Sequence, residues 1–312
     1  MKKPVVNLKT CVVEYINNSR FSIDWQSVKW SIKMTKAEQI ITKNNVFQKL
    51  IVLKTNRNKR FKYKEFIVEG VRNIKEAIQN DWEIVSFIFS SQLGLSDWAK
   101  GIIASGKAKM NYDLSPQLMR EISGKEDTSE LMAVVKMKED TVDLDMLSEN
   151  PVLALFDRPS NKGNLGTIIR SCDSLGIEML ILTGHAVDLY DPDVITATMG
   201  SFFNMKVIRI QENAKVLELI KELKQKYPEF KTIGTTAHKK HPLYEIDMKN
   251  PVMFMIGNET DGLCHAFEEN CDILGTIPMA ESSFASSFNV GCAATVMFYE
   301  ASRQRSCDSK QS

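Results

Sequence analysis

Residues 152–183 read VLALFDRPSNKGNLGTIIRSCDSLGIEMLILT, and this stretch decides the fold. Two continuous apolar runs, VLALF (152–156) and MLILT (179–183), flank a polar turn and a segment with helical apolar spacing. A strand that is apolar at every position has both faces covered, so the unit reads as β–α–β within a parallel sheet. The rhythm continues through MKVIRI (205–210), KTIGTT (231–236), VMFMIG (252–257) and ILGTIP (273–278), with AKVLELIKELKQKY the clearest helix between them. The expectation is an α/β domain over 151–305, with a tail at 306–312.

Upstream, the acidic segment KEDTVDLDMLSEN lacks a long apolar run and reads as a linker over 139–150. Before it, residues 46–138 alternate again: a helix to about Thr55, a basic link RNKRFKYK, strand EFIVEG, helix VRNIKEAIQN and strand EIVSFIFSS. They continue with SDWAKGIIASG as a helix, KAKMNY as a short strand, a helix opening at Ser115-Pro116, and strand LMAVVKM. This is a second, smaller α/β domain. Residues 1–45 hold Trp25, Trp30 and scattered lysines without a sustained period and read as an extension.

The chain of 312 residues is 43% hydrophobic, enough to bury a core across two domains. No stretch approaches the roughly 18 apolar residues of a membrane span, and the start MKKPVVNLKTCVVEYINNSR lacks a signal-peptide apolar core, so a cytoplasmic location is expected. The six cysteines show no C-x-x-C spacing and the four histidines no ligand cluster, so no metal or disulfide framework is expected. The net charge of +1 conceals a segregation. Residues 1–64 carry 15 Lys/Arg against 3 acids, a local +12, which leaves 25 basic against 36 acidic residues, or −11, for the remainder. A basic front end is expected to meet a polyanion, with Arg57, Lys59, Arg60, Lys62 and Lys64 as phosphate contacts and Phe61 and Tyr63 either as stacking surfaces or as core.

In parallel sheets ligands bind beyond the carboxyl ends of the strands. Three post-strand loops stand out there. The first places Asn164 and Gly166 ahead of a helix presenting Arg170; the second is GNETDGL (257–263); the third, PMAESSFASSFNVGCAATVMFYEA, is a polar loop opening a long helix. Taken in order, Asn164-Leu165-Gly166…Arg170, Gly257-Asn258-Glu259…Gly262-Leu263 and Ile277-Pro278-Met279…Ser287-Phe288-Asn289-Val290 resemble the signature of the SpoU (TrmH-like) branch of the SPOUT RNA methyltransferases. The segment RFKYKEFIVEGVRNIKEAI resembles that family's substrate-binding domain, which has a ribosomal L30-type fold.

The resemblance implies a SPOUT domain with a deep trefoil knot, an L30-like domain before it, a homodimer with its active site near the subunit interface, and S-adenosylmethionine as cofactor. It implies 2′-O-ribose methylation of structured RNA. Because a separate L30-like domain is similar to that of rRNA-modifying members, 23S rRNA is favoured over tRNA. Arg170 would handle the ribose 2′-hydroxyl, as base or as clamp on the adjacent phosphate, with Asn164, Glu259, Ser287 and Asn289 shaping the site. Gly257, Ile277, Met279 and Phe288 would lie against the cofactor. The third loop runs about two residues longer than the commoner family version, so Ser286 shares the candidacy of Ser287. A dinucleotide-type glycine fingerprint after the first strand and a P-loop are both missing. The rival from another class is an RNA-binding or assembly protein of the same fold that has lost activity, and its mark would be erosion of Asn164, Arg170, Glu259 or Asn289, all four of which are present.

Overall fold

A computed structural model of the chain describes residues 37–236 and 240–308. In chain order its strands are β1 (Ala37–Ile40), β2 (Glu65–Glu69), β3 (Ile84–Phe89), β4 (Met110–Leu114), β5 (Leu131–Lys136), β6 (Val152–Asp157), β7 (Met179–Thr183), β8 (Lys206–Ile210), β9 (Lys231–Thr235), β10 (His241–Pro242), β11 (Val252–Ile256) and β12 (Ile273–Thr276). The helices are α1 (Asn45–Thr55), α2 (Arg57–Tyr63), α3 (Val71–Gln79), α4 (Asp97–Ala104), α5 (Pro116–Ser123), α6 (Lys162–Leu175), α7 (Pro192–Ala197), α8 (Asn213–Lys226), α9 (His265–Asn270) and α10 (Val290–Asp308).

The C-terminal sheet has the order β10-β12-β9-β11-β6-β7-β8, and every pairing in it is parallel. All five residues of β7 and of β11 are buried, as their unbroken apolar runs require. The N-terminal sheet, ordered β1-β4-β3-β5-β2, is mixed: β3 runs parallel to β4 and antiparallel to β5. No helix among the described residues is long and apolar enough to cross a membrane.

Two segments differ from the sequence reading. Ala37–Ile40, inside the stretch read as an extension, pairs in register with β4 from Ala37 opposite Asn111 to Ile40 opposite Leu114. RNKRFKYK, read as a link, folds into α2. The Asn56 side chain caps its first turn by accepting from the Lys59 N–H at 3.1 Å, and Lys64 ends it in the left-handed region at φ 56°. The expectation for residues 1–36, with their seven basic side chains, lies outside the described residues.

The two sheets share one continuous core rather than meeting at a wet seam. Phe66 and Trp82 of the smaller domain pack against Tyr190, Phe202 and Phe203 of the larger, with ring centroids 4.9–6.5 Å apart. The Trp82 indole donates to the Phe203 carbonyl at 2.9 Å. Burial pushes the Tyr190 hydroxyl up to about 12, so it stays neutral beneath the Arg209 guanidinium, which also covers Phe61. The acidic segment before β6 is fastened too: Asp140 receives the Arg209 guanidinium at 2.6 Å, and Lys226 donates to Asp145 at 2.8 Å.

Candidate active site

β6 ends at Asp157, a fully buried carboxylate beyond an apolar strand. It accepts from Thr183 Oγ1 at 2.7 Å, from the Cys264 N–H at 2.9 Å, and from the Arg158 guanidinium at 3.0 Å. Three strand-end segments are thereby drawn to one point. Arg158 reaches on to the Gly262 carbonyl at 3.1 Å, while its own carbonyl accepts from Asn258 Nδ2 at 2.7 Å.

The second loop closes on itself. Asn258 and Gly262 exchange backbone hydrogen bonds of 2.9 and 3.1 Å, and Asn258 Oδ1 takes the N–H groups of Thr260 and Asp261. A Cβ on Gly257 would stand 2.3 Å from the Leu263 nitrogen, so only glycine lets the chain fold back so tightly.

From this loop Glu259 projects onto the first. Its carboxylate accepts from Ser160 N–H (3.0 Å) and hydroxyl (2.7 Å), from Asn161 N–H (3.1 Å) and from Asn164 Nδ2 (3.2 Å). Asn164 Oδ1 in turn accepts from Asn289 Nδ2 at 3.0 Å, and Asn289 Oδ1 caps α10 by taking the N–H groups of Gly291 and Cys292. Glu259, Asn164 and Asn289, one from each sequence motif, thus form a single directed chain of hydrogen bonds in which both ends of each amide are used.

Burial works against the Glu259 charge. The hydrogen bonds from Ser160 and Asn164 outweigh it and hold the carboxyl below its ordinary 4.5. A group depressed in the folded state contributes from above its ordinary value and is lost as pH falls through the folded one. The 160–164 turn should therefore stay ordered from neutral pH down to 4.5 and loosen below it. Amide-exchange protection at Asn161 measures this, and protection lost already near neutral pH would contradict the account.

Beside this network lies a cleft of about 570 Å³. Gly257, Ile277, Met279, Ser286, Ser287, Phe288, Asn164, Glu259 and Asn289 all line it, so the structure brings together every predicted site residue of the larger domain except one. Arg170 does not line it. It is exposed on α6, six residues beyond Asn164, about 9 Å further along the axis and about 120° around it.

Two further corrections concern the first motif and the basic stretch. Asn164 and Gly166 do not precede α6 but lie within its first turns, because Asn161 is the cap and accepts from the Asn164 N–H at 3.0 Å. Gly166 is buried against α7, where a Cβ would meet the Ala197 Cβ at 2.4 Å, so its smallness serves close helix packing. Arg60 is no phosphate contact: it is 2% exposed and donates to Asp188 at 2.7 Å. Arg57 donates to the Ala186 carbonyl at 2.8 Å, which leaves Lys59, Lys62 and Lys64 of the five with neither a side-chain hydrogen bond nor an ion pair among the described residues. Phe61 packs on Tyr190 as core, whereas Tyr63 is 39% exposed. Sequence reasoning missed Asp157, Ser160 and Thr235, whose hydroxyl accepts from the Gly257 N–H at 3.2 Å. Only Asp157 had a signal, as a carboxylate closing an apolar strand. No group of three or more His, Cys, Asp or Glu suited to a metal occurs among the described residues.

Comparison with known proteins gives one consistent answer. A profile described as the SpoU rRNA Methylase family matches residues 151–299, and one described as the SpoU L30e-like domain matches residues 44–133. The chain is 37% identical over 270 residues to the 23S rRNA (uridine(2479)-2'-O)-methyltransferase of Streptomyces viridochromogenes, covering 86% of this chain and 93% of that protein. It is 26% identical over 244 residues to a 23S rRNA (guanosine(2553)-2'-O)-methyltransferase of Bacillus subtilis, covering 78% and 90%. Among solved structures, the SpoU methyltransferase AviRb from Streptomyces viridochromogenes in complex with AdoMet superposes with a TM-score of 0.78 at 37% identity, over 84% of this chain and 98% of that one.

Proposed function

The chain belongs to the SpoU rRNA methylase family, and on that premise we propose that it transfers a methyl group from S-adenosylmethionine to a ribose 2′-hydroxyl of 23S rRNA in the cytoplasm. The observation that carries this reading is the hydrogen-bonded chain Glu259–Asn164–Asn289 at the wall of a cleft holding all four proposed cofactor contacts. The cleft fits the cofactor chemically. Its volume lies in the range of small-molecule sites. Apolar Ile277, Met279 and Phe288 face backbone and hydroxyl groups of Gly257, Thr235, Ser286 and Ser287, a lining suited to an adenosyl group and an aliphatic thioether.

When bound, the cofactor supplies an electrophilic methyl carbon on a positively charged sulfur. The protein's task is then placement, since an in-line attack by oxygen gains most from a fixed geometry. Asn164 and Asn289, locked by their mutual hydrogen bond, present a rigid amide edge to the incoming ribose. Glu259 holds the turn carrying Asn164. A guanidinium is a poor base, so Arg170 is assigned to the phosphate beside the reacting 2′-hydroxyl, whose proton passes to water as the oxygen takes the methyl group. It reaches that phosphate from a second subunit. Supporting a homodimer, the outward face of α10 carries Cys292, Val296 (40% exposed) and Tyr299 (59% exposed), and α10 packs on α6, whose outward face carries Thr167 and Arg170. Lys59, Lys62 and Lys64 contact RNA phosphates from the smaller domain. The trefoil knot belongs to the same reading, supported by the packing of α10 back against α6 after β12.

The test is incorporation of labelled methyl from S-adenosylmethionine into separate 23S rRNA and tRNA fractions, with modified nucleotides identified by mass after digestion. Label in a 2′-O-methyl nucleotide of 23S rRNA is the expected result. Label confined to tRNA would move the substrate, and cofactor binding without label in either fraction would favour the silent RNA-binding alternative.

A further inference from the structure

The loop from β12 to α10 carries at its apex the most exposed large apolar side chain among the described residues. Phe284 has a relative exposure of 107%. The apex is built rather than formless: the Ser283 N–H donates to the Ala280 carbonyl at 2.9 Å, and the Ala285 N–H donates to the Ser283 hydroxyl at 3.1 Å. Phe284 sits between those two turn residues. Both legs below it line the cleft, Met279 on the way out and Ser286, Ser287 and Phe288 on the return. The ring therefore stands on the same short loop as four residues of the cleft wall and is itself open to solvent.

Four serines, Ser282, Ser283, Ser286 and Ser287, flank Phe284 and Ala285, and Glu281 is the only charge on the loop. A phenyl ring exposed to this degree gains apolar burial when a planar partner covers it. Resting on the RNA methyltransferase reading above, we propose that Phe284 is the stacking platform for an unpaired nucleobase of the RNA, next to the ribose presented to the cleft. A ribose can approach a walled cleft only when its nucleotide leaves the helical stack, and an aromatic face replaces the lost base–base contact. Every base has such a face, so this contact tolerates sequence while the surrounding hydroxyls reach sugar and phosphate oxygens.

Phe284→Ala, Phe284→Tyr and Phe284→Trp test this. The expected result is that alanine raises KM for deproteinised 23S rRNA by about 10- to 100-fold, with tyrosine and tryptophan within a few fold of the parent. The affinity for S-adenosylhomocysteine, measured by calorimetry without RNA, and the oligomeric state should stay unchanged. Fluorescence of Phe284→Trp, corrected for the parent, should be quenched by a single-stranded adenosine 12-mer. An unchanged KM in the alanine variant, with no quenching, would overturn the proposal. So would weakened S-adenosylhomocysteine binding, which makes the ring a lid on the cofactor, or a changed oligomeric state, which makes it a contact between protomers. If the parent protein transfers no methyl to 23S rRNA the functional reading fails by itself, while the 12-mer quenching still decides whether Phe284 stacks on bases.

Discussion

Methyl transfer should fall by about 10²–10³-fold in Arg170→Ala, the size of loss seen when one preorganised charge stabiliser is removed from a reacting centre. The fall should be mainly in kcat, with KM for RNA raised by no more than the loss of one phosphate contact, because the proposed contacts Lys62 and Lys64 lie in the other domain. The sharper expectation concerns which cleft Arg170 serves. On its own subunit it does not line the cleft walled by Asn164 and Asn289. If it acts across a two-fold interface, a chain with Arg170→Ala and a chain with Asn164→Ala each lack one half of every site, but a mixed dimer holds one complete site. Random pairing makes half the dimers mixed, so co-refolding the two inactive variants should restore about one quarter of the parent rate. No recovery from variants that are each folded and dimeric would return Arg170 to its own subunit and require α6 to move before reaction.

How much of this was legible in the sequence follows from the range of the interactions involved. The strands of the larger sheet were readable because a strand buried on both faces is apolar at every position, as in VMFMI and MLILT. The three loops were readable because position after a strand is a local property. What packing decides was not. Asn164 lies inside α6 rather than before it because Asn161 is the residue that caps the helix, and two Asn residues three apart look alike as caps. Glu259 reads as an isolated acid, yet its partners Ser160, Asn161 and Asn164 stand 95 to 99 residues away. The four-residue strand β1 is too short for its alternation to show, and it exists because β4 offers it an edge. Charge misled at Arg60, since a basic run is a solvated face unless another part of the chain closes over it.

That closure sets the second large effect. Arg60 donates through Nε to Asp188 at 2.7 Å and through Nη1 to the Leu53 and Lys54 carbonyls at 2.9 Å, with Asp191 at 3.6 Å. Asp188 is 6% exposed, so neither charge has water as an alternative partner. Asp191 caps α7, whose Ala197 packs on Gly166 of α6, and the same carboxylate receives Lys162 at 3.0 Å. One side chain of the smaller domain therefore braces the helix that carries Asn164. Arg60→Met leaves Asp188 buried and unpaired, and should cost about 3–5 kcal/mol, a fall in melting temperature on the order of 10 °C. Removing both charges together, Arg60→Met with Asp188→Leu, should recover most of that loss, because the penalty lies in the stranded carboxylate and not in the missing attraction. The salt dependence of RNA binding separates the two views of this residue. If Arg60 is a brace, the folded variant keeps the parent's slope of log affinity against log salt, whereas Lys62→Ala and Lys64→Ala each flatten it by about 0.7 for a single-stranded contact. A slope that flattened in Arg60→Met while its stability held would put Arg60 back on the RNA surface.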